Sequence, residues 1–136
     1  MNAGRILREA GYDSEELRDI LHPVDPDDIN VWPASRWLRR LWRPGIKAVT
    51  QGRLIMVDPN ILKGDRDGLA RLVIHELVHV RQFAEQGYLR FMASYIGGYW
   101  RARLSGAEHR DSYLGLGAEQ EARAVTQQMI ELRRSR

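Results

Sequence analysis

The residues best suited to chemistry form a His-Glu-x-x-His pattern that runs from His75 to His79. Because an α-helix turns once in 3.6 residues, histidines four positions apart lie on one face, where both imidazoles can reach one small cation. Glu76 lies about 100° further round the helix, so its carboxylate can contact a water molecule at that cation without binding the cation. This set of residues is typical of a zinc hydrolase.

The sequence around this pattern distinguishes it from a chance match. The chain has 136 residues and 4 histidines, so a coincidental match is expected in roughly one sequence in a hundred of this composition. A coincidence would also have to place both histidines in mid-helix, on one side, between apolar neighbours. We therefore predict a metal site. The alternative is a pair of histidines at the edge of the core without a metal.

A catalytic zinc ion needs three protein ligands and one open position for water. The chain contains no cysteine, so the third ligand has to be a His, Asp or Glu. The segment 118–122 (AEQEA) offers two glutamates beside alanines that are small enough for two helices to approach closely. The residues alone leave five downstream candidates, which are Glu108, His109, Asp111, Glu119 and Glu121.

Apolar periodicity predicts the helices that carry these residues. The central helix covers residues 69–86, has Asp65 or Asp67 as its N-cap and stops at Gly87. A third long helix over residues 88–104 is rich in aromatic side chains, and the last helix runs from residue 118 to about 133. The predicted buried stripe of the central helix consists of Leu69, Leu72, Val73, Leu77, Val80 and Ala84.

The chain upstream of the central helix divides into helical and extended segments. Residues 4–21 predict two short helices broken at Gly11, and residues 31–42 predict an amphipathic helix whose tryptophans pack on the core. The pattern of residues 46–57 predicts two strands joined by a turn at Gln51-Gly52, which together form a β-hairpin. These elements predict an α+β fold: a small antiparallel β-hairpin or sheet packed against the metal-binding helix and two further long helices.

Composition bounds the remaining possibilities. The length predicts one minimal domain over residues 1–136, with an N-terminal helical, Trp-rich segment (1–44) and a metal-binding core (45–133). The net charge is +3, and the nearest approaches to a clustered basic stripe are residues 36–43 and 133–136. We expect these arginines to lie on solvated helix faces or a frayed terminus, and we therefore expect no nucleic-acid partner. There is neither a signal-peptide pattern nor an apolar run long enough for a membrane span, and a cytoplasmic protein is expected. The oligomeric state is left open.

The segment HELVHVRQF (75–83), followed about 40 residues later by AEQEARA (118–124), resembles the gluzincin metallopeptidases. It is most similar to the small stand-alone members called minigluzincins, over roughly residues 45–125. No His-x-x-Gly-x-x-His extension follows His79, so the metzincin pattern is absent.

The resemblance implies which residues complete the site. Gluzincins use a glutamate with a small residue three places on as third zinc ligand, which matches Glu119 best and Glu121 as the alternative. Relatives often have an acid four places after that ligand, where this chain has Arg123 or Val125. The resemblance also implies that Tyr113, with His109 as second choice, donates a hydrogen bond to the developing oxyanion.

We therefore expect a zinc metalloendopeptidase acting on a peptide or protein substrate. Glu76 would take a proton from the attacking water and pass it to the leaving amine, and the strand over residues 53–57 would offer an edge to an extended peptide. One alternative is a zinc-binding domain that is latent or non-catalytic and serves as a partner-binding module. Another is a helical structural protein with a fortuitous motif.

Overall fold

A computed structural model of the chain describes residues 1–40, 46–87, 96, 97, 100 and 117–135. A small β-sheet and several helices pack together in these ranges, which confirms the α+β class. In chain order, the elements are α1 (Ala3–Glu9), α2 (Ser14–Leu21), a 3₁₀ turn (Pro26–Asp28), β1 (Val31–Pro33), α3 (Arg36–Arg39), β2 (Ala48–Gln51), β3 (Leu54–Val57), α4 (Pro59–Leu62), α5 (Arg66–Gln86) and α6 (Gly117–Arg134).

The sheet has three strands in the order β1-β3-β2. β2 and β3 form the predicted antiparallel hairpin, with Gln51 opposite Leu54. The loop is Gly52-Arg53, one residue later than predicted. A tight type II′ turn needs a positive φ at its first loop position, and Gly52 adopts a φ of 62° there. β1 adds in parallel on the other side of β3, so the sheet is mixed. β3 is central, and the expectation that residues 53–57 offer a free edge is wrong. Among the described strands, β2 is the edge on the hairpin side.

The prediction of an amphipathic helix with core-packed tryptophans over residues 31–42 is confirmed only for a short helix, α3, and is wrong for residues 31–33 and for the packing of Trp32 and Trp37. Val31 to Pro33 form β1, since a residue that precedes proline is disfavoured in helical conformation. Trp32 and Trp37 are 53% and 70% exposed. α3 spans only four residues, all within the described ranges, and none of them is buried. Trp42 lies outside the described residues.

α1 and α2 confirm the predicted pair of short helices broken at Gly11, whose φ of 90° favours glycine. The Asp13 carboxylate accepts a hydrogen bond from the Glu16 amide at 3.0 Å and caps α2. Both helices contact α5. Their fully or nearly fully buried side chains, including Leu7, Leu17 and Leu21, belong to the same apolar core as α5.

α5 is the longest described helix and carries both histidines. Its N-cap is Asp65, which accepts hydrogen bonds from the amides of Asp67 and Gly68, and it stops at Gly87, where φ is 79°. Most of the predicted stripe is buried, but Ala84 is exposed, and the buried aromatic ring of Phe83 occupies this end of the helix instead. The buried apolar residues of α5 are Leu69, Ala70, Val73, Ile74, Leu77, Val78, Val80 and Phe83.

α6 runs antiparallel to α5. The Ala118 carbonyl at its start contacts Gln82, whereas the Arg133 guanidinium near its end contacts Asp67 at 3.0 Å. Arg133 also stacks over Tyr12, with its guanidinium carbon 4.7 Å from the ring centroid. The expectation of a solvated C-terminal arginine cluster is therefore wrong for Arg133. The buried apolar residues of α6 are Ala122, Met129 and Ile130.

Several predictions from the sequence fall on residues that the structure does not describe. Of the predicted helix over residues 88–104, Ile96, Gly97 and Trp100 are helical and the rest lies outside the described residues. Tyr113 and His109 also lie outside them. Among the described helices, none combines the length and apolar character that crossing a membrane requires.

Candidate metal centre

Three side chains from α5 and α6 converge at one point. The Nε2 atom of His75 lies 2.9 Å from Oε2 of Glu119, and the Nε2 atom of His79 lies 3.0 Å from Oε1 of the same carboxylate. One ligand atom from each residue can be chosen so that all lie within 4.8 Å of one another. These three residues could hold a metal ion.

The donor atoms fit a zinc ion in both type and spacing. Two imidazole nitrogens and one carboxylate oxygen are a ligand set of catalytic zinc sites. Tetrahedral coordination with bonds of about 2.1 Å separates neighbouring ligand atoms by roughly 3.4 Å, and the possible ligand atoms in this site lie within 4.8 Å of one another. Glu119 and His79 are buried, whereas His75 is partly exposed. The accessible side of the site is therefore next to His75.

The local sequence explains why Glu119 can enter the site. Glu119 lies in the first turn of α6, where the partial positive charge of a helix N-terminus favours a carboxylate. Ala122, one turn later, is fully buried. Its small side chain allows α6 to approach α5 closely, as the alanines in the sequence predicted.

Gln82 is a component of the site that the sequence analysis missed. Its side-chain Nε2 donates hydrogen bonds to the Ala118 carbonyl and to the Glu121 carboxylate, both at 3.1 Å. Because both partners are acceptors only, they fix the orientation of the amide, and its Oε1 accepts from Nδ1 of His79 at 2.8 Å. Because Nδ1 of His79 carries the proton, Nε2 keeps a lone pair that can bind a metal. The available signal was a glutamine three positions after His79 on the same helix face.

Glu121, the alternative third ligand, lies elsewhere. Its carboxylate is about half exposed and accepts hydrogen bonds from Arg81, at 2.9 Å, and from Gln82. Burial raises the pKa of Glu121, but the hydrogen bonds from Arg81 and Gln82 outweigh it and leave that pKa below its ordinary value. Arg81 also donates to the Ile20 carbonyl of α2. Glu121 thus supports Gln82 instead of approaching the imidazoles.

The electrostatics of the site favour a bound cation. Burial by itself raises the pKa of Glu119, but hydrogen bonds from His75 and His79 hold that pKa well below its ordinary value. Burial by itself lowers the pKa of His79, but the Glu119 hydrogen bond and the nearby charge of Glu76 raise it above its ordinary value. The two buried carboxylates therefore stabilise positive charge between them, and a divalent cation can replace imidazole protons there.

Glu76 is held separately from the three possible ligands. Its Oε2 accepts a hydrogen bond from the Thr50 hydroxyl at 2.6 Å, which joins α5 to β2. Glu76, His75 and Glu119 line one cavity of about 810 Å³ between β2, α4, α5 and α6. Thr50 is a second residue that the sequence analysis missed. No spacing rule could have found it, since the contact joins residues 26 positions apart.

Comparisons of the chain with protein-family models, with curated proteins and with solved structures gave no match. The geometry of the site carries the functional proposal. Tyr113, the expected oxyanion donor, stays a prediction because it lies outside the described residues.

Proposed function

We propose that the protein is a zinc metallopeptidase of the gluzincin type, with His75, His79 and Glu119 as zinc ligands and Glu76 as general base. One observation carries the proposal. The Glu119 carboxylate contacts both Nε2 atoms of the motif, while Glu76 is kept out of this ligand set by its hydrogen bond to Thr50. Two neutral imidazoles, one carboxylate as ligand and a second carboxylate outside the ligand set are the groups that hydrolysis at a metal requires.

Zinc is the proposed metal because the possible ligands are nitrogen and oxygen atoms in a set with one side open. A bound zinc ion supplies Lewis-acid polarisation of the substrate carbonyl and makes a water molecule more acidic. The protein supplies the orientation: Gln82 fixes the His79 tautomer, and α6 presents Glu119 to both rings.

Glu76 acts as the proton carrier. It takes a proton from the attacking water and delivers it to the amine that leaves. The Thr50 hydroxyl occupies Oε2, so Oε1 remains available to accept that proton. A substrate peptide can lie in extended conformation along β2, since β2 is an edge among the described strands and carries Thr50.

The experiment compares the full chain with two single variants. Elemental analysis of the purified protein should find about one zinc ion per chain. With a library of peptides, Glu76→Gln should lower kcat/KM by about 100- to 10,000-fold and keep the zinc, because it removes only the base. Glu85→Gln is the matched control, since Glu85 is an exposed carboxylate on the same helix. Its activity should equal that of the wild type.

Three results would contradict the proposal in different ways. A protein without zinc, or equal cleavage by Glu76→Gln and the wild type, would remove the peptidase mechanism. Stoichiometric zinc without cleavage of any peptide would favour the latent, partner-binding zinc domain. A melting temperature that chelation leaves unchanged, in a protein without zinc, would favour a structural role.

A further inference from the structure

Two arginines flank the metal centre on the same side. Arg71 lies one helical turn before His75 on α5, and Arg123 lies one turn after Glu119 on α6. Because the two helices are antiparallel, these opposite steps along the chain lead in the same direction in space. Both arginines line the cavity that also contains His75 and Glu119, and Lys47 lines it as well.

The three acids that line this cavity equal its three cations in number, but in the part of the chain that the structure describes none of them pairs with Lys47, Arg71 or Arg123. Glu119 contacts the imidazoles, Glu76 accepts from Thr50, and the Asp65 carboxylate caps α5. The side chains of the three cations, Lys47, Arg71 and Arg123, are exposed, and within the described ranges none has a hydrogen-bond or ion-pair partner.

Two other arginines on the same helices are paired: Arg81 with Glu121, and Arg133 with Asp67. Arg71 and Arg123 have no such partner among the described residues, so the cations that line the cavity are available for a ligand. A guanidinium presents a planar fork of N–H donors that matches a carboxylate in shape and charge.

We infer that this cavity selects peptides with a carboxylate near the cleaved bond, and that Arg71 and Arg123 bind this carboxylate. The inference rests on the proposed peptidase function. The four-residue step from Arg71 to His75 corresponds to about 6 Å along α5, and an extended peptide advances about 3.3 Å per residue. The carboxylate therefore belongs to a residue within about two positions of the cleaved bond. It is either an Asp or Glu side chain or the peptide's own C-terminus.

The test uses four peptides of matched sequence and the zinc-loaded full chain. One has Glu two positions from the cleaved bond, the second has Gln there and the third has Lys, all with amidated C-termini. The fourth has Gln and ends in a free carboxylate at that distance. Wild type, Arg71→Gln, Arg123→Gln and Arg134→Gln are compared. Arg134 is the matched control, because it is an exposed arginine of α6 that does not line the cavity. Binding is also measured with Glu76→Gln, where turnover does not interfere.

The Glu peptide should be preferred over the Gln peptide about tenfold in kcat/KM, because a hydrogen bond to a charged group is lost with Gln. Arg71→Gln and Arg123→Gln should each reduce this preference to about threefold or less, and Arg134→Gln should keep it. Salt should weaken the preference, since the arginines are exposed. If the fourth peptide is preferred over the Gln peptide more strongly than the Glu peptide is, the bound carboxylate is the C-terminus of the peptide. Circular dichroism melting should be unchanged in all three arginine variants.

The possible failures are distinguishable. Equal cleavage of the Glu and Gln peptides, with no gain from a free C-terminus, would overturn the carboxylate site and leave the peptidase intact. A preference that survives both cavity substitutions would also overturn it. Tighter binding of the Glu peptide without any cleavage would support the carboxylate site and remove the peptidase function. Absence of both binding and cleavage would overturn both.

Discussion

The two ends of the α5–α6 pair are built from opposite kinds of residue. Toward the end of α5 and the start of α6, polar groups meet: Glu119 contacts His75 and His79, and Gln82 contacts His79. Toward the start of α5 and the end of α6, the buried residues are apolar, with Val73 and Met129 fully buried in one core. The apolar end can hold the helices together with or without a metal, because burial of hydrocarbon requires no ligand.

This difference explains how a charged site can be organised without a bound metal. Buried polar groups are costly unless each has a partner, and at the polar end the partners are one another. The apolar end fixes the position of α6, so Glu119 is already placed against both imidazoles. Substitutions at the two ends should therefore affect metal affinity and fold stability separately.

The largest expected effect is on zinc affinity at the polar end. Glu119→Gln removes one of the three proposed ligands and should weaken zinc binding about 1,000-fold or more, in proportion to its share of a structural-site binding energy. Competition with a chromophoric chelator measures the dissociation constant. Glu121→Gln is the matched control and should cost about tenfold or less, because Glu121 acts only through Gln82. Equal losses in both variants would contradict the assignment of Glu119.

The next effect concerns the apolar end. Met129→Ala should lower the free energy of unfolding by about 3 kcal/mol through the cavity it leaves in a fully buried position. Denaturant titration measures the change, and Gln128→Ala, an exposed neighbour, should change it by less than about 0.5 kcal/mol. Zinc affinity of the folded Met129→Ala protein should stay within about threefold of the wild type. A loss as large as that of Glu119→Gln would show that the two ends are not separable.

A smaller effect tests the support of His79. Gln82→Met keeps the size of the side chain but removes the acceptor for the His79 Nδ1 proton and the donor to Glu121. Zinc affinity should fall about 10- to 100-fold. Gln128→Met, an exposed substitution on α6, should leave zinc affinity unchanged. An unchanged affinity in Gln82→Met would mean that the tautomer is fixed by other contacts.

The smallest effect separates catalysis from metal binding. Thr50→Val keeps the β-branched shape in β2 but removes the hydroxyl that orients Glu76. We expect kcat to fall about tenfold, the scale of one hydrogen bond to a charged group, with KM and zinc content unchanged. Thr50→Ser keeps the hydroxyl and should restore most of kcat. If kcat of Thr50→Ser is as low as that of Thr50→Val, Thr50 acts through packing and does not position Glu76.

Local signals in the sequence predicted much of the scaffold. The cap at Asp13, the stop at Gly87 and the hairpin near Gly52 depend on residues that are close in the chain, and all three are present. Long-range contacts could not be predicted in this way. The exposure of Trp37 and the central position of β3 depend on which elements pack together. The Thr50 hydrogen bond to Glu76 has the same origin.

The sequence by itself determined that His75 and His79 share one helix face, because four residues make about one turn of any α-helix. It also limited the possible third ligand of a metal to carboxylates and a histidine downstream, since the chain has no cysteine. Only the tertiary structure shows that Glu119, and not Glu121, lies against both imidazoles. Residues two positions apart point about 200° apart on a helix, so only one can face the two imidazoles. Ala122 and Met129 are buried in the core, and Glu119 lies on the same face of α6, where its carboxylate contacts both imidazoles.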